Sequence, residues 1–541
     1  MEPAPENARP IAASGMARWE PWLLVALAIP VGILIVACFT WPLHVDEAIA
    51  VFVARPGVAG ILRLLPHDAD QPLYFILLHW WIGLAGISEA ALRFPSLTFF
   101  LLAAWVAACL AREAAGSKRA ALYAAFFYAA SSEAIYQSML ARPYALMGLL
   151  AALSTLFFWK AFFSPQGSRR AEWGYAAANA AGILTHIWSI FLLPAQALAC
   201  VILLPRRRWW RVAALQIASL AAFALIWGGI FVEQLRAPVT TWTPRMNFHE
   251  ALSMLTQFYG GHRIGAAFGL ISVLLVLAQP KGWTRARELA RKPGFLVLAI
   301  TVAAGLGVAA MVSVIRPVYY PDRYTIIVLP ALAAGMGWAF SELASRRWLG
   351  AWCCAIIAAY GAVAGLQVTG QKPNLKWMGE RLSRGFEAGA DRSAASMLCR
   401  EGSPGDWIVF TSLSGTAMEY YLGRMGCASR FHAVIFPASL AQHRGWDRYP
   451  RNQQKLDAEA RQLEESIFSA VAPERSRPRI WIFNGLQEQE NLAIAGNFPL
   501  EFQWIETLAV NGAAFRGLEV YRARGGPAPG SAAIPNQVKQ K

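Results

Sequence analysis

The chain has 541 residues, of which 56% are hydrophobic, and its mean hydropathy is +0.37. A soluble globular protein is about half apolar, and here the apolar residues come in runs of about 16 to 24, the length of a membrane-spanning helix. The composition therefore predicts a polytopic membrane protein. The net charge of +16 does not indicate nucleic-acid binding, because the basic residues cluster in short loops between apolar runs.

Eleven apolar runs are candidate spans. They lie at about 21–41, 94–111, 120–135, 142–163, 172–187, 189–204, 211–232, 264–279, 293–314, 324–341 and 348–368. A shorter run at 73–87 is rich in Trp and Tyr, which is typical of an interfacial segment.

Positive charge predicts the orientation of these spans. If the run at 73–87 crossed the membrane, every basic group between spans would face outward, against the positive-inside rule. If it lies at the outer interface, all of them face the cytoplasm. The basic groups are Arg112/Lys118/Arg119, Arg169-Arg170, Arg206-Arg207-Arg208 with Arg211, Lys281 to Lys292, and Arg346-Arg347. We therefore predict one long outer loop at 42–93, and shorter outer segments at about 131–142, 233–263 and 315–323.

From residue 370 the apolar runs shorten to strand length, at 407–410, 432–436 and 480–483, with helical patterns between them and two further strands near 501–510 and 515–523. This alternation predicts a small α/β domain with a largely parallel sheet. Cys399 and Cys427 lie in this domain, and outside the cytoplasm they are as consistent with a disulfide as with free thiols. The predicted organisation is an N-terminal cytoplasmic segment 1–20, a transmembrane domain 21–368, an extracytoplasmic α/β domain 369–524 and a disordered tail 525–541.

Asp46 and Glu47 stand just outside the first apolar run, where carboxylates are costly unless they serve a polar cavity or chemistry. One of them can act as a general base on an incoming hydroxyl, which the sequence favours over the alternative that the pair caps the helix that follows. His44 and Asp46, next to His67, could hold a divalent ion, although no spacing here is diagnostic of a metal. Asp46 and Glu47 are our candidate catalytic residues.

A second polar cluster in the same loop reads His67-Asp68-Ala69-Asp70-Gln71-Pro72-Leu73-Tyr74. A turn into an interfacial helix that begins at Pro72 explains this cluster as well as substrate binding does. The candidate substrate-binding residues are Asp70, Gln71 and Tyr74.

Arginines at the outer ends of spans run against the inside bias. Arg142 needs an anion there, which is a lipid headgroup, Glu133 or a substrate phosphate, and the planar guanidinium suits a phosphate well. The segment 316–324 repeats this chemistry with two arginines and three tyrosines. His186 is as consistent with a satisfied core histidine as with a functional one. The candidate binding residues of these segments are Glu133, Arg142, Tyr144, His186, Arg316, Tyr320, Arg323 and Tyr324.

Short motifs are spread along about residues 20–345. They are Asp46-Glu47, Asp70-Gln71-Pro72-Leu73-Tyr74 with His79-Trp80, Ser88-Glu89, Leu92-Arg93-Phe94-Pro95-Ser96, Ala141-Arg142-Pro143-Tyr144, Thr185-His186 and Pro321-Asp322-Arg323-Tyr324. Together they resemble the polytopic glycosyltransferases of the C-type fold, in particular the dolichyl-phosphate-mannose–protein mannosyltransferase-like proteins and the bacterial 4-amino-arabinose lipid A transferases. The family often has two prolines where this chain has Gln71-Pro72, which leaves substrate fit there open.

The resemblance implies a sugar donor carried on a polyprenyl phosphate, and transfer with inversion on the periplasmic face of a bacterial inner membrane. Asp46 is then the expected base, while Arg142 and Arg323, with Arg316 as a further candidate, hold the leaving phosphate. No cofactor is expected, because a lipid phosphate is already a good leaving group without a metal. The expected partners are the lipid-linked donor, a lipid, glycan or protein acceptor, and membrane lipids, but no nucleic acid.

The alternative is a polytopic transporter or lipid flippase with an outward-facing polar cavity. That class has charged residues at mid-membrane and broken helices in matched halves, whereas the polar residues here gather at one face. A membrane-anchored binding protein whose α/β domain does the work leaves the acidic first loop unexplained. The sequence identifies neither the sugar, nor the acceptor, nor the oligomeric state.

Overall fold

The computed structural model describes residues 16–68, 70–165, 167–236, 243, 245–319, 323–369, 389–442, 452–471, 478–485, 488–498, 502–508 and 515–523. The chain divides into two units. The first comprises Met1–Trp41 and Ala50–Phe386, and the second comprises Pro42–Ile49 and Glu387–Lys541. Most of the predicted N-terminal segment 1–20, and the whole predicted tail 525–541, lie outside the described residues.

The first unit is helical, and one helix, α2, begins in the second unit and ends in the first. The helices are α1 (Glu20–Phe39), α2 (Val45–Ala54), α3 (Gly57–Leu64), α4 (Pro72–Ala85), α5 (Glu89–Ala115), α6 (Lys118–Ala129), α7 (Ser132–Ser138), α8 (Tyr144–Phe162), α9 (Arg169–Thr185), α10 (Leu192–Leu203), α11 (Trp209–Arg236), α12 (Phe248–Thr256), α13 (Gly261–Leu277), α14 (Gly282–Ala290), α15 (Pro293–Ile315), α16 (Leu329–Leu343) and α17 (Arg346–Val368). Single 3₁₀ turns occur at Leu65–His67, Ile187–Phe191, Arg206–Arg208, Gln257–Tyr259 and Thr325–Ile327.

Each apolar run predicted as a span overlaps one of these helices, namely α1, α5, α6, α8, α9, α10, α11, α13, α15, α16 and α17. Within the described residues, 6 helices are long and apolar enough to cross a membrane, and the bent pair of α12 and α13 would make a seventh. The chain is therefore a helical multi-pass membrane protein, while the count of eleven spans stays a prediction. Helix α4, with 14 residues, rises only about 21 Å and is short for a crossing.

Close helix packing holds the first unit together. At Gly337 of α16, an added Cβ would lie 2.4 Å from the backbone nitrogen of Ala124 and 2.6 Å from the carbonyl oxygen of Ala120, both on α6. Only a residue without a side chain permits this approach of two helix backbones, which is how small residues stabilise helix pairs in membranes.

A buried ion pair links three helices of the same unit. Arg119 of α6 donates from Nε to the Glu20 carboxylate of α1 at 2.6 Å, and the Glu20 side chain is fully buried. The same carboxylate accepts from the Tyr123 hydroxyl at 3.1 Å and from the Ala17 amide at 2.8 Å. Arg119 Nη1 also donates to the carbonyl oxygen of Ser341 on α16 at 2.5 Å. We call this group the Glu20–Arg119 latch.

The second unit contains a five-stranded sheet. Its strands are β1 (Trp407–Thr411), β2 (His432–Phe436), β3 (Arg479–Gly485), β4 (Phe502–Leu508) and β5 (Phe515–Ala523), in the order β2-β1-β3-β5-β4. β1 pairs in parallel with β2 and β3, whereas β5 is antiparallel to both β3 and β4. The sheet is thus less parallel than the sequence predicted. The reason is the short connection from β4 to β5, since a parallel pair needs a crossover of about a dozen residues or more.

The helices of this unit are Gly389–Glu401, which precedes β1, and four that lie between strands, at Ser414–Arg424, Ser439–Gln442, Gln453–Val471 and Glu488–Asn497. The sequence predicted neither Ser439–Gln442 nor Glu488–Asn497. A disulfide joins Cys399 to Cys427, with their Cα atoms 5.8 Å apart. It connects the first of these helices to the segment that follows Ser414–Arg424.

Candidate active site

An ion pair ahead of α4 is the centre of the site. Oδ2 of Asp70 accepts a hydrogen bond from Arg142 Nη2 at 3.2 Å, and the two side chains are only 10% and 9% exposed. The sequence did not suggest Asp70 as the anion beside Arg142. Gln234 of α11 donates from Nε2 to the carbonyl oxygens of Asp70 at 3.0 Å and Leu65 at 2.9 Å. The amide of Gln234 therefore holds the backbone that carries the aspartate.

Gln71 connects the start of α4 to the segment after α9. It is the N-cap residue of α4 in an extended conformation, and Pro72 occupies the first turn, where no backbone donor is needed. The side chain of Gln71 does not cap its own helix. Instead, its Oε1 accepts from the backbone amide of Ile187 at 2.8 Å. This contact brings the Asp70 loop and the Thr185-His186 motif together.

Tyr144 lies between two arginines. The guanidinium carbons of Arg142 and Arg323 lie 5.8 Å and 6.0 Å from the centroid of its ring, and Arg323 Nη1 donates to its hydroxyl at 3.4 Å. The ring faces attract both cations and keep them close despite their like charge. Two guanidinium groups are thus held beside one ring, and guanidinium groups are well suited to binding a phosphate.

Aromatic rings form one wall of the cluster. The ring of His186 lies 5.6 Å from Tyr144 and 4.8 Å from Tyr324, and Tyr324 stacks on Trp188 at 5.0 Å. His186 is the extended residue that ends α9, and its Nδ1 accepts from the backbone amide of Trp188 at 3.3 Å. A nitrogen that accepts carries no proton, so the hydrogen bond favours the tautomer protonated on Nε2.

Glu133 belongs to a second, buried polar group behind the wall. Both of its carboxylate oxygens accept from the Thr325 hydroxyl at 2.9 Å, and Gln257 also donates to that hydroxyl. Tyr319 in turn shares its hydroxyl with Gln257 at 3.1 Å and with Ser253 at 3.2 Å. Because Thr325 directly follows Arg323 and Tyr324, this network fixes the backbone that presents both of them.

The two candidate catalytic residues lie in the first turn of α2, and the structure gives them different environments. Glu47 is fully buried, and its carboxylate accepts from the backbone amide of His44 at 2.9 Å, while the His44 carbonyl accepts from the Glu47 amide at 2.9 Å. His44 Nδ1 in turn accepts from the Asp46 amide at 3.2 Å, so the side chains of Glu47 and His44 both cap the first turn of α2. This is a variant of the capping box in which the N-cap side chain bonds the second rather than the third helical amide, and we refer to it as the capping box. Asp46 is 15% exposed, with its carboxylate 3.9 Å from His44 Nδ1. The capping role therefore belongs to Glu47.

For the three other predicted residues, the structure shows no contact with these arginines among the described contacts, or does not describe the residue. The ring of Tyr74 is buried in α4 with an edge-to-face contact to Phe75. Arg316 is exposed, and its Nη2 donates to the carbonyl oxygen of Leu235 near the end of α11. Tyr320 lies outside the described residues. The same holds for the side chain of His67, and among the described residues no group of three His, Cys, Asp or Glu side chains is arranged to hold a metal ion.

Sequence reasoning missed the residues that hold this geometry. Gln234 and Gln257 are buried, but both lie in the predicted outer segment 233–263, where no local pattern distinguishes a buried amide from an exposed one. Arg93 is also buried, and its Nη1 donates to the carbonyl oxygen of Trp41 at 2.8 Å. The indole N–H of Trp188 donates a hydrogen bond to the carbonyl oxygen of Val318 at 2.9 Å, a contact that no local pattern predicts.

Comparison with known proteins matches part of the chain to a family and most of it to solved structures. The model of the family described as dolichyl-phosphate-mannose-protein mannosyltransferase matches residues 69–229, a range that contains Asp70, Gln71, Arg142, Tyr144 and His186. Comparison with curated protein sequences gives no significant match.

Two crystal structures of ArnT from Cupriavidus metallidurans share the fold of this chain. The apo structure has 14% sequence identity and a TM-score of 0.58, and it covers 93% of this chain and 98% of its own. The structure bound to undecaprenyl phosphate has 15% identity, the same TM-score and the same coverage. The predicted resemblance to polytopic glycosyltransferases of the C-type fold is confirmed.

Proposed function

We propose that this chain is a membrane glycosyltransferase that moves a sugar from a polyprenyl-phosphate donor to an acceptor hydroxyl or phosphate, with inversion at the anomeric carbon. The observation that carries this proposal is the Asp70–Arg142 pair with Arg323 and Tyr144, which we name the arginine cluster. It lies at the ends of helices and within the matched family range, apart from Arg323. A transferase of this class needs such a cluster for the charge of its leaving phosphate.

The reaction requires one bond to form as another breaks. The acceptor oxygen attacks the anomeric carbon, and the bond from that carbon to the phosphate oxygen breaks with its electron pair on the oxygen. Negative charge therefore grows on the phosphate in the transition state. Arg142 and Arg323 are the groups that stabilise it, and preorganised donors of this kind are worth about 10²–10³ in kcat each. Tyr144 and Gln234 keep the arginines and the Asp70 backbone in place beforehand.

Asp46 is the base in this proposal. When the acceptor is a hydroxyl, the Asp46 carboxylate takes its proton as the oxygen attacks, a contribution of about 10²–10⁴. The partial exposure of Asp46 supports this choice over Glu47, because the Glu47 carboxylate is committed to the capping box. When the acceptor is a phosphate that carries no proton, the base has no proton to remove and its share of the rate falls.

An apolar groove supports a lipid-linked donor. A cavity of about 580 Å³ lies between α12, α15 and α16 and is lined by residues such as Met254, Val302 and Met336. Ser253, the neighbour of Met254, bonds the Tyr319 hydroxyl, and the Tyr319 ring lies 6.0 Å from that of Trp188 in the aromatic wall. These contacts relate the groove to the arginine cluster, so a polyprenyl tail can occupy the groove while the phosphate meets the arginines.

The proposed setting is the periplasmic face of a bacterial inner membrane, with eleven spans and an extracytoplasmic C-terminal α/β domain. The disulfide between Cys399 and Cys427 supports an oxidising compartment for the second unit. The basic residues of the loops between spans support a cytoplasmic location for those loops.

The test is transfer of label from a panel of radiolabelled polyprenyl-phosphate sugars to a total membrane extract. Wild type, Asp46→Asn and Glu47→Gln are compared in purified form, with the unfolding midpoint measured for each. We expect Asp46→Asn to lose about 10²–10⁴ of the transfer rate without loss of stability. Glu47→Gln weakens a buried cap and should lower stability by about 0.5–2 kcal/mol while each folded molecule keeps turning over.

Other outcomes would contradict the proposal in separate ways. Full activity in a folded Asp46→Asn protein would show that Asp46 is not the base, although the chain would still be a transferase. No transfer from any donor by a folded wild type favours the transporter alternative, and the labelled product of a positive assay identifies the acceptor.

A further inference from the structure

The segment that carries the proposed base belongs to the second unit, which we also call the C-terminal unit. Residues Pro42–Ile49 group with Glu387–Lys541, although hundreds of positions separate them in the chain. A hydrogen bond accounts for part of this grouping, since the backbone amide of Leu43 donates to the Tyr421 hydroxyl at 2.6 Å. Leu43 and Tyr421 are 0% and 1% exposed, so water does not compete for this bond.

Tyr421 lies on a helix that is held at both ends. The helix Ser414–Arg424 begins directly after β1, where the Ser414 hydroxyl donates to the carbonyl oxygen of Thr411 at 2.8 Å. Beyond its end, Cys427 is tied to Cys399 by the disulfide. The Tyr421 ring also packs edge-to-face on Tyr420 at 4.9 Å. The hydroxyl is therefore presented from a rigid element, as a precise positioning group requires.

The bonded amide stands immediately before the helix start. Leu43 precedes His44, the residue whose amide and carbonyl form the capping box with Glu47. His44 also accepts from the amide of Asp46 through Nδ1 at 3.2 Å. A shift at Leu43 moves His44 and with it the first turn of α2. The direction of the Asp46 carboxylate thus depends on the anchor at Leu43.

We infer that Tyr421 is a positioning residue for the proposed base, and that the C-terminal unit sets the place of Asp46 through the Leu43 amide. This inference rests on the proposed function and deepens it, because it assigns a catalytic duty to the C-terminal unit. Tyr421 does not touch the reacting atoms. It acts by holding the turn from which Asp46 projects, and misplacement of a catalytic group by about 1 Å can cost about 10²-fold in rate.

The test compares Tyr421→Phe with Tyr420→Phe in the full-length protein in detergent micelles. Both variants lose one tyrosine hydroxyl from the same helix. The Tyr420 hydroxyl accepts from Arg424 at 3.2 Å, whereas the Tyr421 hydroxyl accepts from the Leu43 amide. The first readout is amide hydrogen exchange of the peptide that contains Leu43. We expect about tenfold faster exchange in Tyr421→Phe, and no change in Tyr420→Phe.

The second readout is steady-state transfer with a polyprenyl-phosphate sugar. We expect Tyr421→Phe to lower kcat about 10- to 100-fold with the donor KM unchanged, because the arginine cluster that binds the donor phosphate is intact. The unfolding midpoint should match that of Tyr420→Phe, so a general loss of stability is not the cause.

The two readouts separate the failure of this inference from the failure of the proposed function. Unchanged exchange at Leu43, or unchanged kcat in Tyr421→Phe, overturns the positioning role even if wild type is an active transferase. If wild type is inactive but exchange at Leu43 is faster in Tyr421→Phe, the proposed function is wrong and the Leu43–Tyr421 hydrogen bond has no catalytic role. The hydrogen bond itself is still confirmed as the contact that protects the Leu43 amide. Equal effects of both tyrosine variants also overturn the inference.

Discussion

Among the described residues of the first unit, the buried pairs Glu20–Arg119 and Asp70–Arg142 differ in the groups that surround them. In the Glu20–Arg119 latch the atoms are 2.6 Å apart, and the carboxylate also accepts from Tyr123 and from the Ala17 amide. In the arginine cluster the Asp70–Arg142 distance is 3.2 Å, and a second arginine stands across the ring of Tyr144.

The difference separates structure from ligand binding. The Glu20 carboxylate accepts three hydrogen bonds from protein groups, one of them from its counter-ion Arg119, so we interpret the latch as a structural contact between helices. The arginine cluster instead places two guanidinium groups beside one tyrosine ring and an aromatic wall. Buried ionic groups are costly in either case, and we propose that the arginine cluster is kept for an anionic ligand. The following variants test this contrast.

The largest effect on stability is expected at the latch. Arg119→Met leaves the buried Glu20 carboxylate without its counter-ion and should lower the free energy of unfolding by about 3–5 kcal/mol. The double variant Glu20→Leu/Arg119→Met removes both charges and should recover most of this loss. Thermal unfolding in detergent measures both variants. A single variant as stable as wild type would show that the latch does not hold these helices together.

The largest effect on transfer is expected at the arginine cluster. Arg142→Met removes a donor to the leaving phosphate and should lower kcat by about 10²–10³. Asp70→Asn/Arg142→Met should regain stability, as the latch double variant does, but not transfer. Initial rates at saturating donor measure the effect. Restored transfer in this double variant would mean that Arg142 serves only to balance Asp70.

A smaller loss is expected when the charge of Arg142 is kept. Arg142→Lys retains one positive charge but loses the planar fork that donates two parallel hydrogen bonds. One hydrogen bond to a charged group is worth about 1.5 kcal/mol or more, so kcat/KM for the donor should fall about tenfold. Donor titrations give this value. Equal rates for lysine and arginine would favour a simple headgroup contact over phosphate recognition.

The smallest effects are expected when one tyrosine hydroxyl is removed from the arginine cluster or from the latch. Tyr144→Phe keeps the ring between the arginines but removes the acceptor of Arg323, so kcat should fall about two- to fivefold, for a net hydrogen bond of about 0.5–1 kcal/mol. Tyr123→Phe removes a donor to Glu20 and should lower stability by a similar energy without any change in kcat. The reverse pattern would contradict the assignment of the two pairs.

The sequence alone predicted the long apolar helices of the first unit and the positions of the five strands, because hydrophobic periodicity and run length are local properties. It also gave Arg142, Tyr144, His186, Arg323 and Tyr324 among its candidate binding residues, from their placement at the outer ends of predicted spans and from short motifs. In the structure these five residues contact one another. Their role in binding stays a prediction.

The choice of partners came only from the tertiary structure. Arg142 pairs with Asp70 across 72 positions, and Gln71 bonds the Ile187 amide across 116 positions, separations at which no local pattern carries information. The resemblance named Asp46 as the expected base, but only the structure shows that the Glu47 carboxylate caps the helix while Asp46 is partly exposed. Likewise, only the folded chain brings Pro42–Ile49 together with the C-terminal unit. Periodicity determines which face of an element is buried, whereas the path of the whole chain decides which polar groups meet there.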